Sequence, residues 1–220
     1  MPDFNSLTAS ELGDLIGKGE IDPVELTEYF ISQIELSPIG EKIYSTVTSQ
    51  LALEQAKDSK IRAKLGRRLS SLDGVPISWK DLFDIKGYPC EAGSDLLAGR
   101  LANKNSKVYY FAEAHGLICL GKTHMSELAF SGLGLNPVKE TPPCVNYPES
   151  VPGGSSSGAA TSVAFGLAAA GIGSDTGGSV RIPAAWNDLV GFKTTAGKLS
   201  LDGVVPLCIR FDTVGPLTKS

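Results

Sequence analysis

Residues 153–181 read GGSSSGAATSVAFGLAAAGIGSDTGGSVR, and this stretch decides the fold class. A glycine- and serine-rich turn over 153–158 leads into an alanine-rich helix over 159–167, and a strand of small residues follows over 168–173. The strand ends in a second glycine-rich turn over 173–181. A helix placed between a turn and a strand in this way indicates an α/β sheet core.

The segments around this stretch continue the alternation. The pattern predicts a short strand over 75–79, which carries Lys80 at its end, a helix over 108–115 and a buried strand over 116–121. Downstream, residues 212–220 predict another strand. Strands that alternate with helices favour an α/β protein, and neither an internal repeat nor a linker interrupts them.

The first third of the chain predicts helices. Residues 8–11 have the form of a capping box, and the pair at 22–23, an aspartate before a proline, is a second helix start. A third helix is expected around 48–65. We expect this N-terminal helical segment, about residues 1–70, to pack on the remainder of the chain as a scaffold.

Composition and charge exclude several classes of protein. With 220 residues, 42% of them hydrophobic and 20% charged, the chain has room for one sizeable globular domain or two small ones. Its formal charge of −4 provides no basic field, so we expect no nucleic-acid partner. No apolar run approaches the roughly 20 residues that span a bilayer, so we expect no membrane partner either.

The N-terminus and the cysteines indicate the compartment. Residues 1–14 are acidic and amphipathic and lack the features of a secretory signal. The four cysteines are scattered, form no metal-type or redox-type pair, and are expected to be reduced thiols: Cys90, Cys119, Cys144 and Cys208. We therefore expect a cytoplasmic protein with no metal site and no cofactor.

Two short motifs match functional patterns but stand in the wrong context. Residues 116–123 match the phosphate-binding pattern GxxxxGK[ST], yet the intervening residues are apolar, belong in a strand, and follow a helix. Residues 154–158 match GxSxG, whose catalytic machinery needs a later histidine, whereas His115 and His124 both come earlier. We therefore expect neither a nucleotide site nor a Ser–His–Asp triad.

The turn before Ser179 offers different chemistry. Gly177 and Gly178 let the backbone adopt conformations closed to other residues, and successive N–H groups there can form a nest that holds an oxyanion. A nucleophilic serine needs a base, and Lys80 stands among large apolar neighbours whose packing would lower its pKa. Taken alone, the turn also fits an ordinary tight turn, and residue statistics favour a solvated surface position for Lys80.

Four segments taken together closely resemble the amidase signature family: residues 74–81, 121–128, 151–158 and 174–185. Their order and spacing match throughout, and the resemblance extends from about residue 7 to the last residue. It implies an α/β/α fold with a mixed central sheet covered by helices, of which this chain forms the N-terminal part. Residues 1–220 would then be a single domain, incomplete at its C-terminus.

The resemblance also implies the catalytic residues. The family's lysine falls on Lys80, its nucleophile on Ser179, and its bridging serine on Ser155, which lies 24 positions (179 − 155) before the nucleophile. In this family the bridging serine follows a cis peptide, here expected between Gly154 and Ser155. The oxyanion-hole amides would come from four consecutive residues: Thr176, Gly177, Gly178 and Ser179.

Neighbouring residues receive supporting roles. Ser156 is a further candidate for hydrogen bonding in the substrate pocket or its loop, while Asp175 and Arg181 are expected to fix the turn before the nucleophile. The chain departs from the family's usual pattern at three places outside the triad: His124 replaces asparagine, Cys90 replaces threonine, and Lys193-Thr194-Thr195 replaces Lys-Pro-Thr. These departures leave the subfamily open.

The function implied by the resemblance is hydrolysis of the C–N bond of a small-molecule amide through a serine acyl-enzyme, with no cofactor. The substrate itself is not specified by the sequence. Two other functions stay open: the glutaminase-type A subunit of a tRNA-dependent amidotransferase, from which the departures lean slightly away, and a non-catalytic fragment or binding module that keeps the motifs. The expected assembly is a homodimer, or a complex in which a second chain or segment completes the fold.

Overall fold

A computed structural model describes residues 4–220 of the chain. Six strands form one sheet: β1 (Tyr44–Val47), β2 (Pro76–Lys80), β3 (Ile118–Thr123), β4 (Ala170–Ser174), β5 (Val190–Gly191) and β6 (Val214–Thr218). The helices are α1 (Ala9–Lys18), α2 (Pro23–Leu36), α3 (Gly40–Ile43), α4 (Ser49–Lys64), α5 (Lys107–Ala114), α6 (Ser157–Ala164) and α7 (Arg181–Trp186).

The strands are ordered β1-β3-β2-β4-β6-β5 across the sheet. The central strands β3, β2 and β4 run parallel, while β1, β6 and β5 pair antiparallel with their neighbours. The sheet is therefore mixed, as predicted. Because the three parallel strands end at the same edge, the residues that follow them meet there, which is where open α/β sheets place their ligands.

Helices cover both faces of this sheet. On β2, the Ser78 hydroxyl lies 2.7 Å from the Ser162 hydroxyl of α6, while the next side chain, Trp79, packs its ring 5.2 Å from that of Tyr109 on α5. Adjacent residues of a strand point to opposite faces, so α6 and α5 lie on opposite sides. This confirms the predicted α/β/α layering.

The N-terminal helices begin where their sequences indicate. Thr8 and Glu11 form a complete capping box at α1, and Asp22 accepts a hydrogen bond from the Val24 N–H at the start of α2, with Pro23 as first helical residue. Leu12 of α1 and Phe30 of α2 are buried in the same hydrophobic cluster as Trp79. These helices thus share their core with the sheet.

The region around residues 40–47 was not predicted from the sequence. It forms α3 and then β1, which pairs with β3 at the edge of the sheet. The pairing explains the glycine within β3, because a Cβ at Gly121 would lie 2.3 Å from the Thr46 carbonyl oxygen. Residues 116–123, which match the phosphate-binding pattern, contain this buried strand. The strand predicted over 116–121 is therefore confirmed, although it begins and ends two residues later, at Ile118–Thr123.

Within residues 4–220, no helix has both the length and the apolar character needed to cross a membrane.

Candidate active site

Lys80 is the last residue of β2 and is completely buried. Its Nζ atom donates hydrogen bonds to Ser155 Oγ at 2.8 Å and to Ser174 Oγ at 2.9 Å. Burial lowers the pKa of Lys80 from its ordinary value to about 7, although the charges of Asp175 and Asp212 oppose this. Near neutral pH much of this lysine is therefore an uncharged amine that can accept a proton.

Ser155 lies in the turn that precedes α6. The peptide bond between Gly154 and Ser155 is cis, as expected, and the Ser155 side chain is fully buried. The Ser155 carbonyl accepts a hydrogen bond from the Ser126 N–H at 3.2 Å, and the Gly154 N–H donates to the Gly132 carbonyl at 2.8 Å. The loop over 126–132 therefore holds the turn that presents the Ser155 hydroxyl to Lys80.

Ser179 lies in the turn between β4 and α7 and is 8% exposed. Its carbonyl accepts a hydrogen bond from the Ser156 N–H at 3.2 Å, which joins its turn to the one that carries Ser155. Among the hydrogen bonds of the described residues, none involves the Ser179 hydroxyl. The contact between Lys80 and Ser155 is thus formed, whereas a bond from Ser155 to Ser179 stays a prediction.

Asp175 organises the turn that carries Ser179. Its carboxylate accepts hydrogen bonds from the N–H groups of Gly178 at 2.8 Å and Val180 at 3.2 Å, and from the Arg181 guanidinium at 3.0 Å. The Lys193 ammonium also binds this carboxylate, at 3.1 Å. Although burial opposes it, this set of donors holds the pKa of Asp175 well below its usual range. Asp175 and Arg181 are therefore placed to fix the turn by hydrogen bonding.

The predicted oxyanion donors need one correction. The Gly178 N–H is already bonded to Asp175, so it is not free to bind an oxyanion, and the role of Gly178 lies in its positive φ of 141°. The backbone N–H groups of Thr176, Gly177 and Ser179 donate to no other group in the part of the chain that the structure describes. These three N–H groups remain the predicted donors.

Of the two roles predicted for Ser156, hydrogen bonding in the substrate pocket or in its loop, the structure supports the second and not the first. Its side chain is fully buried, and its hydroxyl donates to the Ser174 carbonyl at 3.2 Å. Together with the hydrogen bond from the Ser156 N–H to the Ser179 carbonyl, this bond joins the end of β4 to the turn that carries Ser179. Ser156 therefore holds the loop together, while its hydroxyl is not available to a substrate.

Two residues near the site were not predicted from the sequence. Ser174 shares the Lys80 amine with Ser155, and Lys193 binds the Asp175 carboxylate. Ser174 could have been found, because it ends a strand parallel to the one that ends at Lys80. Lys193 comes 18 positions after Asp175 along the chain, so no local pattern connects the two.

The comparisons with known proteins identify the family. A family model described as Amidase matches residues 25–220. The chain belongs to the amidase family. It is 39% identical over 211 residues to the A subunit of the glutamyl-tRNA(Gln) amidotransferase of Anaeromyxobacter dehalogenans (strain 2CP-C), covering 95% of this chain and 42% of that protein.

Solved structures of amidases share the fold. A crystal structure of an amidase superposes with a TM-score of 0.89 at 32% identity, covering 97% of this chain and 49% of the other. The native peptide amidase from Stenotrophomonas maltophilia gives a TM-score of 0.90 at 30% identity, over 97% of this chain and 45% of the other. The chain therefore spans less than half the length of these amidase-family proteins.

Two of the three departures from the family's usual pattern, at His124 and Cys90, make no hydrogen bond to Lys80, Ser155 or Ser179. His124 is buried; its N–H donates to the Ile43 carbonyl and its own carbonyl accepts from the Gly158 N–H at 2.9 Å. Burial lowers the pKa of His124, which favours the neutral imidazole. Cys90 is buried as well, and burial raises the pKa of its thiol to about 12. Neither side chain takes part in the hydrogen bonds of Lys80.

A cavity of about 640 Å³ lies beside the loop that holds the Ser155 turn. Much of its wall comes from residues 126–131, and Ser126 is the residue whose N–H binds the Ser155 carbonyl. Leu128 in this wall and the next residue, Ala129, have φ values of 47° and 60°, a conformation that is strained for residues with a side chain. In residues 4–220 no three His, Cys, Asp or Glu side chains form a group that could hold a metal ion.

Proposed function

We propose that this chain carries the Ser–Ser–Lys machinery of an amidase that cleaves a carboxylic amide through a serine acyl-enzyme. The observation that carries the proposal is the buried Lys80 amine, which lies within hydrogen-bond distance of Ser155 and has a pKa lowered to about 7. Membership of the amidase family supports the assignment of Ser179 as the nucleophile. The product would be an acid, with release of ammonia or an amine.

Acylation would begin with proton transfer along the three side chains. The neutral Lys80 amine accepts the proton of Ser155, which accepts the proton of Ser179 as Ser179 Oγ attacks the amide carbonyl carbon. The carbonyl oxygen becomes an oxyanion beside the free N–H groups of Thr176, Gly177 and Ser179. The proton then returns by the same route to the leaving nitrogen, because an unprotonated amide anion is a very poor leaving group.

Deacylation would use the same relay, with water in place of Ser179 as the nucleophile and Ser179 in place of the amine as the leaving group. A water molecule takes the place of the departed amine, and its proton passes through Ser155 to Lys80 as its oxygen attacks the acyl carbon. When the tetrahedral intermediate collapses, Ser179 leaves and recovers its proton from the relay. The buried Asp175 carboxylate stays bound to Arg181 and Lys193 throughout and carries no proton in either step.

The substrate is proposed to be a small-molecule amide, with part of it in the cavity beside Ser126. We also propose a cytoplasmic location, supported by the four free cysteines, since such thiols are typical of reducing compartments. Three of these cysteines are buried and the fourth, Cys208, is exposed.

The second candidate function is that of the glutaminase component of a tRNA-dependent amidotransferase. It is favoured by the curated relatives, which include the A subunits of such enzymes from Anaeromyxobacter dehalogenans and, at 35% identity over the full chain, from Acinetobacter baylyi. In that case the amide would be the side chain of glutamine, and the released ammonia would pass to a partner protein. The same Ser155, Ser179 and Lys80 would perform the hydrolysis.

The exposed apolar surface supports a covering partner or segment in either function. At the edge of the sheet, Val190 of β5 and the adjoining Phe192 are exposed, as are Trp186 and Phe211. Exposed apolar side chains of this size are typical of surfaces that other structure covers. A second copy of this chain, a different chain or a further segment could each cover this surface. If nothing covers it, the chain could retain the sequence motifs and yet hydrolyse no amide.

The test is an ammonia- and amine-release assay on a panel of amides that includes free glutamine, with Ser179→Ala as control. Turnover of several amides that disappears in Ser179→Ala supports the amidase, and turnover of glutamine alone favours the amidotransferase component. A folded protein that releases nothing, and whose Ser179 is not labelled by a serine-directed phosphonate, contradicts the catalytic proposal and leaves the non-catalytic module.

A further inference from the structure

A buried ion pair lies directly behind the lysine of the site. Lys122 on β3 is completely buried, and its Nζ atom donates to Asp81 Oδ1 at 2.8 Å and to the Pro89 carbonyl at 2.9 Å. Asp81, which is only 4% exposed, directly follows Lys80 in the chain. The mechanism proposed above uses neither member of this pair.

Asp81 is held at each of its polar groups. Its N–H donates to the Thr123 carbonyl at 3.1 Å, and its carbonyl accepts from the Ala92 N–H at 2.9 Å. Its second carboxylate oxygen accepts from the Glu91 N–H at 3.2 Å. The main chain that leaves Lys80 is therefore joined both to the end of β3 and to the segment over 89–92.

The pair and the Lys80 amine lie on opposite faces of the sheet. In the parallel register of β2 and β3, Lys122 is opposite Trp79, whereas Lys80 is opposite Thr123. Because neighbouring residues of a strand alternate between faces, the ion pair does not compete with Ser155 for the Lys80 amine. Any effect of the pair on Lys80 therefore passes through the backbone or through space.

A buried ion pair between neighbouring strands carries a large desolvation cost. Removing two charges from water costs several kcal/mol per ion in real proteins, and well-packed apolar residues of similar size often serve stability as well. What an ion pair adds is a single defined geometry, which is its best-supported role in proteins. Defined geometry is what a base with two hydrogen-bond partners at 2.8 and 2.9 Å requires.

We propose that Asp81 and Lys122 are positioning residues, which fix the chain at Lys80 and keep the region behind its amine free of net charge. The inference rests on the proposed function in assigning Lys80 as the base. Loss of one partner leaves a lone buried charge near that amine. A lone Asp81 carboxylate favours protonated Lys80 and raises its pKa, while a lone Lys122 ammonium lowers it further.

The other charges near Lys80 have partners outside the pair and stay constant in this comparison. The two carboxylates that raise the Lys80 pKa are Asp175, bound by Arg181 and Lys193, and Asp212, which accepts hydrogen bonds from Thr176 and from backbone N–H groups of residues 207 and 208. His124 lies near Asp81, and burial favours its uncharged form. A change in the Lys80 pKa upon substitution of the pair is therefore attributable to the pair.

The experiment measures the Lys80 pKa directly, by NMR titration of lysine labelled with carbon-13 at Cε, with the Lys80 signal assigned by its loss in Lys80→Met. The expected shift is on the order of one pH unit upward in Lys122→Met and downward in Asp81→Asn. In the double variant Asp81→Asn/Lys122→Met the pKa of Lys80 returns to the wild-type value. The kcat of this variant stays at least about tenfold below wild type with KM little changed, because the ion pair no longer fixes the chain at Lys80.

The exposed pair Lys107–Asp202, with the same residue types and a distance of 2.9 Å, is the matched control. Lys107→Met and Asp202→Asn are expected to leave the Lys80 pKa and kcat unchanged. Shifts in the same direction in both single variants of the buried pair, or no shift, overturn the inference. Wild-type kcat in the double variant overturns it as well, and that variant carries the test if the single variants do not fold.

The pKa readout separates this inference from the proposed function. If Lys80 titrates as expected in all variants but the wild-type protein hydrolyses no amide, the catalytic proposal fails while the electrostatic part of the inference holds. If hydrolysis depends on Ser179 and Lys80 but the pKa of Lys80 does not change when the ion pair is substituted, the inference fails and the proposed function stands.

Discussion

Lys80 Nζ lies 2.8 Å from Ser155 Oγ, although 75 positions separate the two residues in the chain. The approach is made by the end of β2 and the turn before α6, both at the edge where the parallel strands end. At this edge the lysine has no contact with solvent. A lysine that is buried and within hydrogen-bond distance of a serine can serve as a base near neutral pH.

Substitution of Lys80 should remove the base while keeping the fold. In Lys80→Met, whose side chain fills a similar volume, amide hydrolysis should fall by about 10²–10⁴-fold, the range associated with general acid–base catalysis. The measurement is kcat/KM for the best amide of the panel, with circular dichroism as the check of folding. Unchanged turnover in a folded variant would contradict the role of Lys80 as base.

The pH profile of hydrolysis should follow the same amine. Because only neutral Lys80 accepts a proton, kcat/KM should rise with pH through about 7 and then level off. Phosphonate labelling of Ser179 should show the same limb, since it also needs the nucleophile to lose its proton. A profile that is flat between pH 6 and 8.5 in both measurements would argue against a lysine base.

The buried lysine should also make stability depend on pH. Unfolded, Lys80 has its ordinary pKa of 10.5, and folded it has a pKa of about 7, so between these values the unfolded chain binds one more proton at this side chain. The free energy of unfolding therefore rises with pH across this window, and the cost of burying a charged lysine is greatest below pH 7. Urea unfolding of wild type and Lys80→Met at pH 6, 8 and 10 should show the difference between them changing in favour of wild type as pH rises.

The sequence predicted those features of the fold and of the site that consecutive residues encode, and it missed those that form only in the tertiary structure. The capping box at residues 8–11 and the glycine turn before Ser179 are encoded in consecutive residues, so both could be read directly. The burial of Lys80 depends on elements from distant parts of the chain, and residue statistics alone favour a solvated lysine. The link between Lys80 and Ser155 came from the family resemblance and not from any physical argument on the residues.

Other misses have the same physical origin. The Gly178 N–H was expected to be an oxyanion donor because the family resemblance places one there, whereas its hydrogen bond to Asp175 forms only when the turn is folded. The strand β1 consists of four residues and pairs at an edge, too short for its pattern to differ from that of a loop. The ion pair of Asp81 with Lys122 spans 41 positions, and each member by itself looks like a surface charge.

Asp175 should be essential for the shape of the nucleophile turn. Asp175→Asn keeps one acceptor but turns an NH₂ group toward Arg181 and Lys193, so stability at pH 7 should fall by about 2–3 kcal/mol, the value of hydrogen bonds to charged groups. Hydrolysis should fall by more than about 100-fold, because the oxyanion donors lose their arrangement. The measurements are chemical denaturation and kcat on the same preparation.

Arg181→Lys is the matched comparison for this prediction. It keeps the positive charge but loses the paired guanidinium contacts at 3.0 Å, and half of the Arg181 side chain is exposed, so its effect on stability should be smaller than that of Asp175→Asn. Equal losses in the two variants would indicate that the guanidinium, and not the amide donors of the turn, carries the effect of Asp175.

Ser174 should affect the pKa of Lys80 but should not itself act as the base. Its hydroxyl accepts a hydrogen bond from Lys80, which favours the charged ammonium, so Ser174→Ala should move the acid limb of the pH profile to lower pH and reduce kcat by about tenfold. Ser162→Ala is the control, because Ser162 is a buried serine that binds Ser78 and not Lys80. If both variants shift the limb equally, the effect belongs to packing beneath the sheet.

The serine triple separates proton transfer from loop support. Ser155 contacts the Lys80 amine, whereas the Ser156 hydroxyl donates to the Ser174 carbonyl. Ser155→Ala should therefore reduce kcat by about 10²–10⁴-fold, because the relay between base and nucleophile is cut. Ser156→Ala should lower the free energy of unfolding by about 1 kcal/mol, the usual net value of one hydrogen bond, with a much smaller loss of kcat.

The pair of variants decides which serine is the bridge. Both side chains are fully buried and both substitutions remove a single hydroxyl, so the two proteins lose the same atoms from the same turn. A difference in kcat between them therefore reports the position of the hydroxyl, and a difference in unfolding reports its hydrogen bond. A greater loss of kcat in Ser156→Ala would transfer the bridging role to Ser156, and the hydrogen bond between Lys80 and Ser155 would then serve the fold alone.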